Sequence, residues 1–308
     1  VTIPKSLTII GWSAFNDCSK LTSIIWNAED CTEVNWQPFK GCKNLTNVIF
    51  GDDVKTIPSY AFYNCNLTNV IISNGVTVIG KRAFYNCSKL KSITIPDSVT
   101  SIGDSAFYGC SSLESITLPF IGASKTASNG YDQVFGCIFG YVTKSSSSSV
   151  SGAIYQYYRS NKYYHYFIPS SLKTVVISNS VTTINDYAFN NCSGIISITM
   201  PNSVNSIGRY AFSSCRGITT ITIPSSLTSI EYYAFRNCSG LNSFYFKGTV
   251  ESWDKISIGS DNSYLTNATR YYYSEIEPVL NFDGTAYDGN YWHYDTDGVT
   301  PVIWKKEN

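Results

Sequence analysis

Residues 83–119 read AFYNCSKLKSITIPDSVTSIGDSAFYGCSSLESITLP, a string that says nearly the same thing twice. The repetition runs along most of the chain. A phenylalanine recurs at Phe15, Phe39, Phe62, Phe84, Phe107, Phe189, Phe212 and Phe235. Three residues after each stands a cysteine: Cys18, Cys42, Cys65, Cys87, Cys110, Cys192, Cys215 and Cys238. Three residues further on stand Leu21, Leu45, Leu90, Leu113, Ile195, Ile218 and Leu241, with Leu67 one residue early. The period is 22 to 24 residues. A unit that short cannot bury its own apolar side. Units must therefore stack in register and share one continuous core.

Each unit reads L-x-x-I-x-I-P-x-S-V-T-x-I-G-x-x-A-F-x-x-C. The alternation of Ile93 and Ile95 with Ser92 and Thr94 has the two-residue period of a strand, and β-branched residues suit a pleated surface. Pro96 lacks the amide hydrogen a ladder needs, so it ends the strand. Val99 and Ile102 form a second inward pair and a short second strand. Gly103 turns the chain. Asp104–Cys110 is too short for an independent helix and reads as one helical or 3₁₀ turn, with Ala106, Phe107 and Cys110 facing in. Stacked at strand spacing, ten such rungs, counting Val1–Ile3, make a rod of roughly 45–50 Å.

The units resemble the BspA-like leucine-rich repeats of bacterial cell-surface proteins. The matching string is nearly complete at 90–110, 195–215 and 218–238. The resemblance implies a β-rich α/β repeat: a leucine-rich-repeat solenoid, a right-handed superhelix of ~23-residue units. It also implies a non-catalytic protein-interaction or adhesion module, secreted or displayed on a bacterial surface. Four regions follow: repeats at 1–118, an interrupted repeat with a Ser/Tyr-rich insertion at 119–170, repeats at 171–246, and a capping region at 247–308.

Charge excludes some partners. The chain carries 22 basic and 22 acidic residues, a net charge of zero, so no basic surplus grips nucleic acid or an anionic membrane. No stretch reaches the ~18 consecutive apolar residues of a membrane helix, so this segment inserts in no bilayer. Val1 stands in mid-pattern without a leader, so an export signal or anchor is expected outside this segment. A monomer is expected.

Ten cysteines invite a disulfide framework, but eight of them share one repeat position. Stacked in register they read as a buried thiol ladder, each a small hydrophobe. Side chains that point in parallel suit disulfide geometry poorly. Cys31 and Cys137 lie off the ladder and are the candidates for free, testable thiols. The sequons at Asn44, Asn66, Asn86, Asn191 and Asn237 recur with the repeat and read as turn residues.

The repeat breaks between Leu113 and Leu172, where the spacing is 59 residues. The motif survives as YDQVFGCIFG, with Phe135 in the phenylalanine role. A serine run then leads into Tyr155, Tyr157, Tyr158, Tyr163, Tyr164 and Tyr166. Their spacing allows a hairpin turning near RSNK, with tyrosines sharing a face. Two readings stay open: a hairpin packed on the solenoid flank, or a protruding contact surface. Tyrosine offers large contact area at low entropic cost, so these six are the candidate binding residues.

The outward positions of the main strands carry Ser, Thr and Asn, grading to Ile25, Ile49 and Ile71 at the N-terminal end. None is charged. Such a face is a plain solvated sheet or a broad docking surface for protein or glycan. After Phe246 the pattern stops. Residues 247–275 read as a short helix and irregular structure, and NFDGTAYDGNYWHYDTDGVTPVIW as a hairpin or meander. Together they read as a cap. Asp295 and Asp297 hint at calcium, but no completing loop follows, so turn chemistry is preferred and no metal or cofactor is expected.

No G-x-S-x-G, H-E-x-x-H, P-loop or G-x-G-x-x-G occurs. Cys137 and His165 are the one conceivable nucleophile–base pair, with no third group to orient them. The chain therefore reads as a non-enzyme. Its partner is expected to be a host or bacterial surface protein or a glycan. The alternatives are a stiff spacer rod and a carbohydrate-binding module that uses the tyrosines.

Overall fold

The computed structural model describes residues 1–35, 37–127, 132–143, 153–157, 164–282, 284–298 and 300–305. Each L-x-x-I-x-I segment forms a short strand whose residues alternate between solvent and core, as in Ser92–Thr94, where only Ile93 is buried. Identical positions pair in parallel from rung to rung. Thr2–Ile3, Ser23–Trp26, Asn47–Phe50 and Asn69–Ile71 form a four-stranded sheet. Ser92–Thr94, Ser115–Leu118, Thr174–Ile177, Ser197–Thr199, Thr220–Ile223 and Ser243–Phe246 continue it in a nine-stranded sheet. Among the described residues no strand pairing joins Asn69–Ile71 to Ser92–Thr94, so a seam divides the two sheets.

The second inward pair forms its own strip. Thr56–Ile57, Val78–Ile79 and Ser101–Ile102 pair in parallel, as do Thr183–Ile184, Ser206–Ile207, Ser229–Ile230 and Ser257–Ile258.

On the third side the expected helical or 3₁₀ turn is a run of single turns in Asp104–Cys110, closed by 3₁₀-type bonds such as the Tyr108 N–H to the Ser105 carbonyl at 3.1 Å. Two residues per unit take the left-handed conformation. One stands two before the phenylalanine (Tyr60, Arg82, Ser105, Tyr187, Tyr210, Tyr233) and one two after it (Asn64, Asn86, Gly109, Asn191, Ser214, Asn237). Each reversal breaks helical hydrogen bonding and aims alternate amides along the rod. Thus the Phe62 N–H donates to the Ala83 carbonyl at 2.8 Å, and the Asn64 N–H to the Tyr85 carbonyl at 2.8 Å.

Inside, the phenylalanines stack as one column. Phe39, Phe62, Phe84 and Phe107 stand 5.4, 5.8 and 5.5 Å apart with rings nearly parallel. The expected thiol ladder runs beside them. All ten cysteines are unbridged, and every one but Cys18 is buried. The thiol of one rung donates to the phenylalanine carbonyl of the rung before: Cys87 to Phe62 and Cys110 to Phe84 at 3.3 Å, Cys215 to Phe189 and Cys238 to Phe212 at 3.0 Å. Cys31 and Cys137 are also buried, at 1% and 8% exposure, so the accessible thiol is Cys18 instead.

The long interval is a single rung. Ser115–Leu118 pairs directly with Thr174–Ile177. In the phenylalanine column a 3₁₀ helix, Phe135–Phe139, fills the step with two rings: Phe139 lies 6.4 Å from Phe107, and Phe135 lies 5.1 Å from Phe189. The insertion is a small antiparallel sheet with Tyr164–Pro169 between Tyr141–Thr143 and Ala153–Tyr157. It docks on the 3₁₀ helix. Only glycine fits at Gly136, where an added Cβ would stand 2.4 Å from Cβ of Tyr166.

The pattern does not stop at Phe246. Residues 247–273 make a further rung, with Ser257–Ile258 in the second strip and Thr269–Tyr273 paired in parallel with Ser243–Phe246. Two four-residue helices, Val250–Trp253 and Ser263–Thr266, replace the motif, and Leu265 is fully buried. Tyr291–Tyr294 adds in parallel and Pro301–Ile303 antiparallel, the expected hairpin. Trp292 closes the core, its indole N–H donating to the Phe246 carbonyl at 3.0 Å.

Candidate functional site

Three surfaces of the solenoid carry chemistry. The first is the open face of the sheets. In-register pairing sets Ile25 beside Ile49 and Ile49 beside Ile71. These side chains are 44%, 40% and 48% exposed, an apolar stripe on a solvent-facing surface. Across the seam the same row continues as Thr94, Thr117, Val176, Thr199 and Thr222. It ends on aromatics: Tyr245 lies 5.7 Å from Tyr271 and 5.4 Å from Trp292. Lys247 sits 5.5 Å over the Tyr294 ring. A recess of about 80 Å³ opens there between Thr199, Thr222, Tyr245 and Tyr294.

The second surface is the turn side. Tyr63, Tyr85 and Tyr108 stack at 4.6 Å per step, and Tyr187, Tyr210 and Tyr233 at 5.0 and 4.8 Å. Guanidinium groups lie beside both columns, Arg82 at 5.4 Å from the Tyr85 ring and Arg236 at 5.2 Å from Tyr233. Burial, with Tyr108 and Tyr63 as neighbours, pushes the Tyr85 hydroxyl up to about 12. The stacked faces cover one another. This ladder escaped the sequence reading, although Tyr187, Tyr210 and Tyr233 recur at the repeat period.

The third is the insertion. Tyr166 is buried, at 3% exposure, opposite Gln156 in the register. Tyr155 stands opposite Phe167, Tyr157 opposite His165, and Tyr164 opposite Thr143. In the register Tyr155 and Tyr157 thus share one alternation, and Tyr164 and Tyr166 the other. Tyr158 and Tyr163 lie outside the described residues. Gln156 was missed by the sequence reading. It is fully buried, accepts the Gly136 N–H and donates to the Ala188 carbonyl at 2.7 Å.

Catalytic and metal chemistry find little here. Burial pushes the Cys137 thiol up, aided by Asp132 and Asp104, the opposite of an activated nucleophile. Asp297 accepts the Thr300 N–H at 2.8 Å, and Asp295 the Thr296 N–H at 2.7 Å, as turn residues do. Among the described residues no three His, Cys, Asp or Glu side chains cluster as metal ligands, and no helix is long and apolar enough to cross a membrane.

Residues 1–57 and 161–269 match the BspA type leucine rich repeat region, present in six copies. That is more than half of the chain, and this protein belongs to the BspA-type leucine-rich repeat family. No curated protein matches it significantly. Among solved structures, a leucine rich cell surface protein from Faecalibacterium prausnitzii is 25% identical, over 83% of this chain and 81% of that one, with a TM-score of 0.32. A leucine-rich repeat protein from Bacteroides ovatus is 22% identical over 88% and 91%, with a TM-score of 0.33. The leucine rich repeat protein of T. pallidum is 18% identical over 71% and 77%, with a TM-score of 0.38.

Proposed function

We propose that this chain is a non-catalytic protein-interaction module of a secreted or surface-displayed bacterial protein, acting in adhesion through its extended open face. The observation that carries this reading is the exposed stripe of Ile25, Ile49 and Ile71. Threonine would satisfy strand propensity at these positions, as it does across the seam at Thr94 and Thr117. Three adjacent apolar side chains rimmed by Ser23, Asn47 and Asn69 make an apolar patch with a polar border, the anatomy of a protein interface. The partner is a host or bacterial surface protein. The insertion tyrosines Tyr155, Tyr157, Tyr158, Tyr163 and Tyr164 are proposed as a second contact.

A glycan-binding reading is supported by one feature, the recess at the other end of the face. There ring and ammonium groups of Tyr245, Tyr294 and Lys247 adjoin a row of hydroxyls. Purified protein is tested against extracellular-matrix proteins and a glycan panel, beside Ile25→Thr/Ile49→Thr/Ile71→Thr and Tyr245→Ala variants. Loss of protein binding in the triple variant, with an unchanged melting transition, supports the stripe. Loss of glycan binding in Tyr245→Ala moves the site to the recess. Absence of binding by the parent protein to either panel favours the spacer rod.

A further inference from the structure

The interrupted rung leaves a cleft that an ordinary step of the solenoid would fill. In an ordinary step the next second-strip strand and turn close on Ile102 and Asp104. Here Ala123 supplies only the strand partner, accepting the Ile102 N–H at 2.8 Å, while the 3₁₀ helix takes the turn, its Ile138 carbonyl accepting the Phe107 N–H at 3.0 Å. Between them the wall opens into a cleft of about 470 Å³. That volume lies within the roughly 300–1,000 Å³ of small-ligand sites.

The lining is mixed. Buried Ile102, Cys137 and Tyr166 form its dry part, and the Tyr141 ring stands 6.0 Å from that of Tyr166, edge to face. Tyr141 is 47% exposed. Three charged groups line the rim: Lys81, Asp104 and Asp132. Lys81 and Asp104 pair at 3.8 Å. The Asp132 carboxylate has no hydrogen-bonding or ionic partner among the described residues. Among the described residues the rim therefore carries one negative charge in excess, in the same cleft as an aromatic edge-to-face pair. Asp132 is exposed at the mouth of the cleft.

We propose that this cleft binds an organic monocation, a guanidinium or alkylammonium group, with Asp132 as its charge partner and Tyr141 as its aromatic wall. An unpaired carboxylate next to a tyrosine ring recognises a cation that is weakly hydrated and carries hydrocarbon. A small divalent ion would need more oxygen ligands than two carboxylates provide. The group could arrive on a partner's side chain or on a free amine, and the chemistry is shared. The proposal is independent of the open face.

The test uses the whole chain and three probes: N-acetyl-arginine methylamide, its neutral citrulline counterpart, and butylamine, each followed by calorimetry and ligand-observed NMR. The arginine probe is expected to bind about tenfold more tightly than citrulline, because a charge-assisted hydrogen bond is lost in the isostere. Asp132→Asn is expected to weaken binding about tenfold, and Tyr141→Ala about threefold. Lys81→Gln frees Asp104 and is expected to tighten binding a few-fold, as an added carboxylate would. Tighter binding of the arginine probe than of butylamine assigns the cation to a partner's side chain, and the reverse order to a free amine. Ile49→Thr is expected to leave all probes unaffected, which separates this site from the open face. Equal binding of citrulline and arginine, or undiminished binding by a folded Asp132→Asn protein, overturns the proposal.

Discussion

At Asn237 the backbone φ is 56°, and at Asn86 and Asn191 it is 56° and 60°. Each is the first residue of a sequon, and each sits where the turn reverses. For most side chains this conformation costs roughly 1–2 kcal/mol, and asparagine tolerates it better than most. The recurring sequons are thus a by-product of turn geometry. Asn44 and Asn66 serve differently, donating side-chain N–H groups to the Ser19 and Lys43 carbonyls of the rung before, at 2.8 and 2.9 Å. Asn237→Gly is expected to leave stability within about 0.5 kcal/mol, whereas Asn237→Val should cost about 1–2 kcal/mol in urea unfolding. Equal stability of the two would show that the turn does not hold the left-handed geometry.

The cysteines give a second residue-scale prediction. Burial pushes Cys65, Cys110 and Cys238 up to about 12, and Cys31 up to about 11. A thiol whose pKa is raised stays protonated at pH 8, and the thiolate is the reactive form. Ellman titration of the native protein at pH 8 is expected to find Cys18 alone reacting quickly, with the rest appearing only on denaturation. Rapid reaction of Cys31 or Cys137 would contradict their burial.

At the scale of the element, the repeat was legible and its repairs were not. Phe107, Cys110 and Leu113 declare their places because every rung supplies the same neighbours. Gln156 and Asn262 declare nothing, because each acts where the neighbour is missing. The Asn262 carbonyl oxygen accepts the Phe235 N–H at 2.8 Å, in the place of the next rung's backbone carbonyl. Its amide donates to the carbonyls of Glu231 and Gly259 at 3.0 and 2.9 Å. Gln156 does the same work at the interrupted rung. A lone polar residue between tyrosines, or one inside SDNS, carries no period for a sequence reading to find. The same reasoning explains why residues 247–273 escaped: spacing and core identity both drift, and only pairing restores the rung. Asn262→Ala and Gln156→Ala each leave buried backbone groups unpaired, so each is expected to cost about 2–4 kcal/mol. Denaturant unfolding checks this; a loss under about 0.5 kcal/mol would mean that water replaces the amide.

At the scale of the molecule, three parallel ladders hold the rod, and the outer one is cut at a step where the other two are whole. The outer sheets part between Asn69–Ile71 and Ser92–Thr94. At this step the other two sides run through. Val78–Ile79 pairs with Ser101–Ile102, and the Gly103 N–H donates to the Ile79 carbonyl at 2.8 Å. On the turn side the Phe84 N–H donates to the Ala106 carbonyl at 2.9 Å, above the Phe84–Phe107 stack. The seam also falls where the apolar stripe ends, so the proposed contact surface lies entirely on the four-stranded sheet. Open backbone groups along one side should loosen that side alone, because exchange follows the local opening free energy. Amide hydrogen exchange is therefore expected to be faster along Asn69–Ile71 and Ser92–Thr94 than along Thr220–Ile223, while Phe84 and Gly103 stay protected. Uniform protection would show that the outer strands pair across the seam. If Phe84 and Gly103 exchanged together with the outer strands, the seam would divide the solenoid into two cooperative units, and a partner seated on the isoleucine stripe would stabilise only the first.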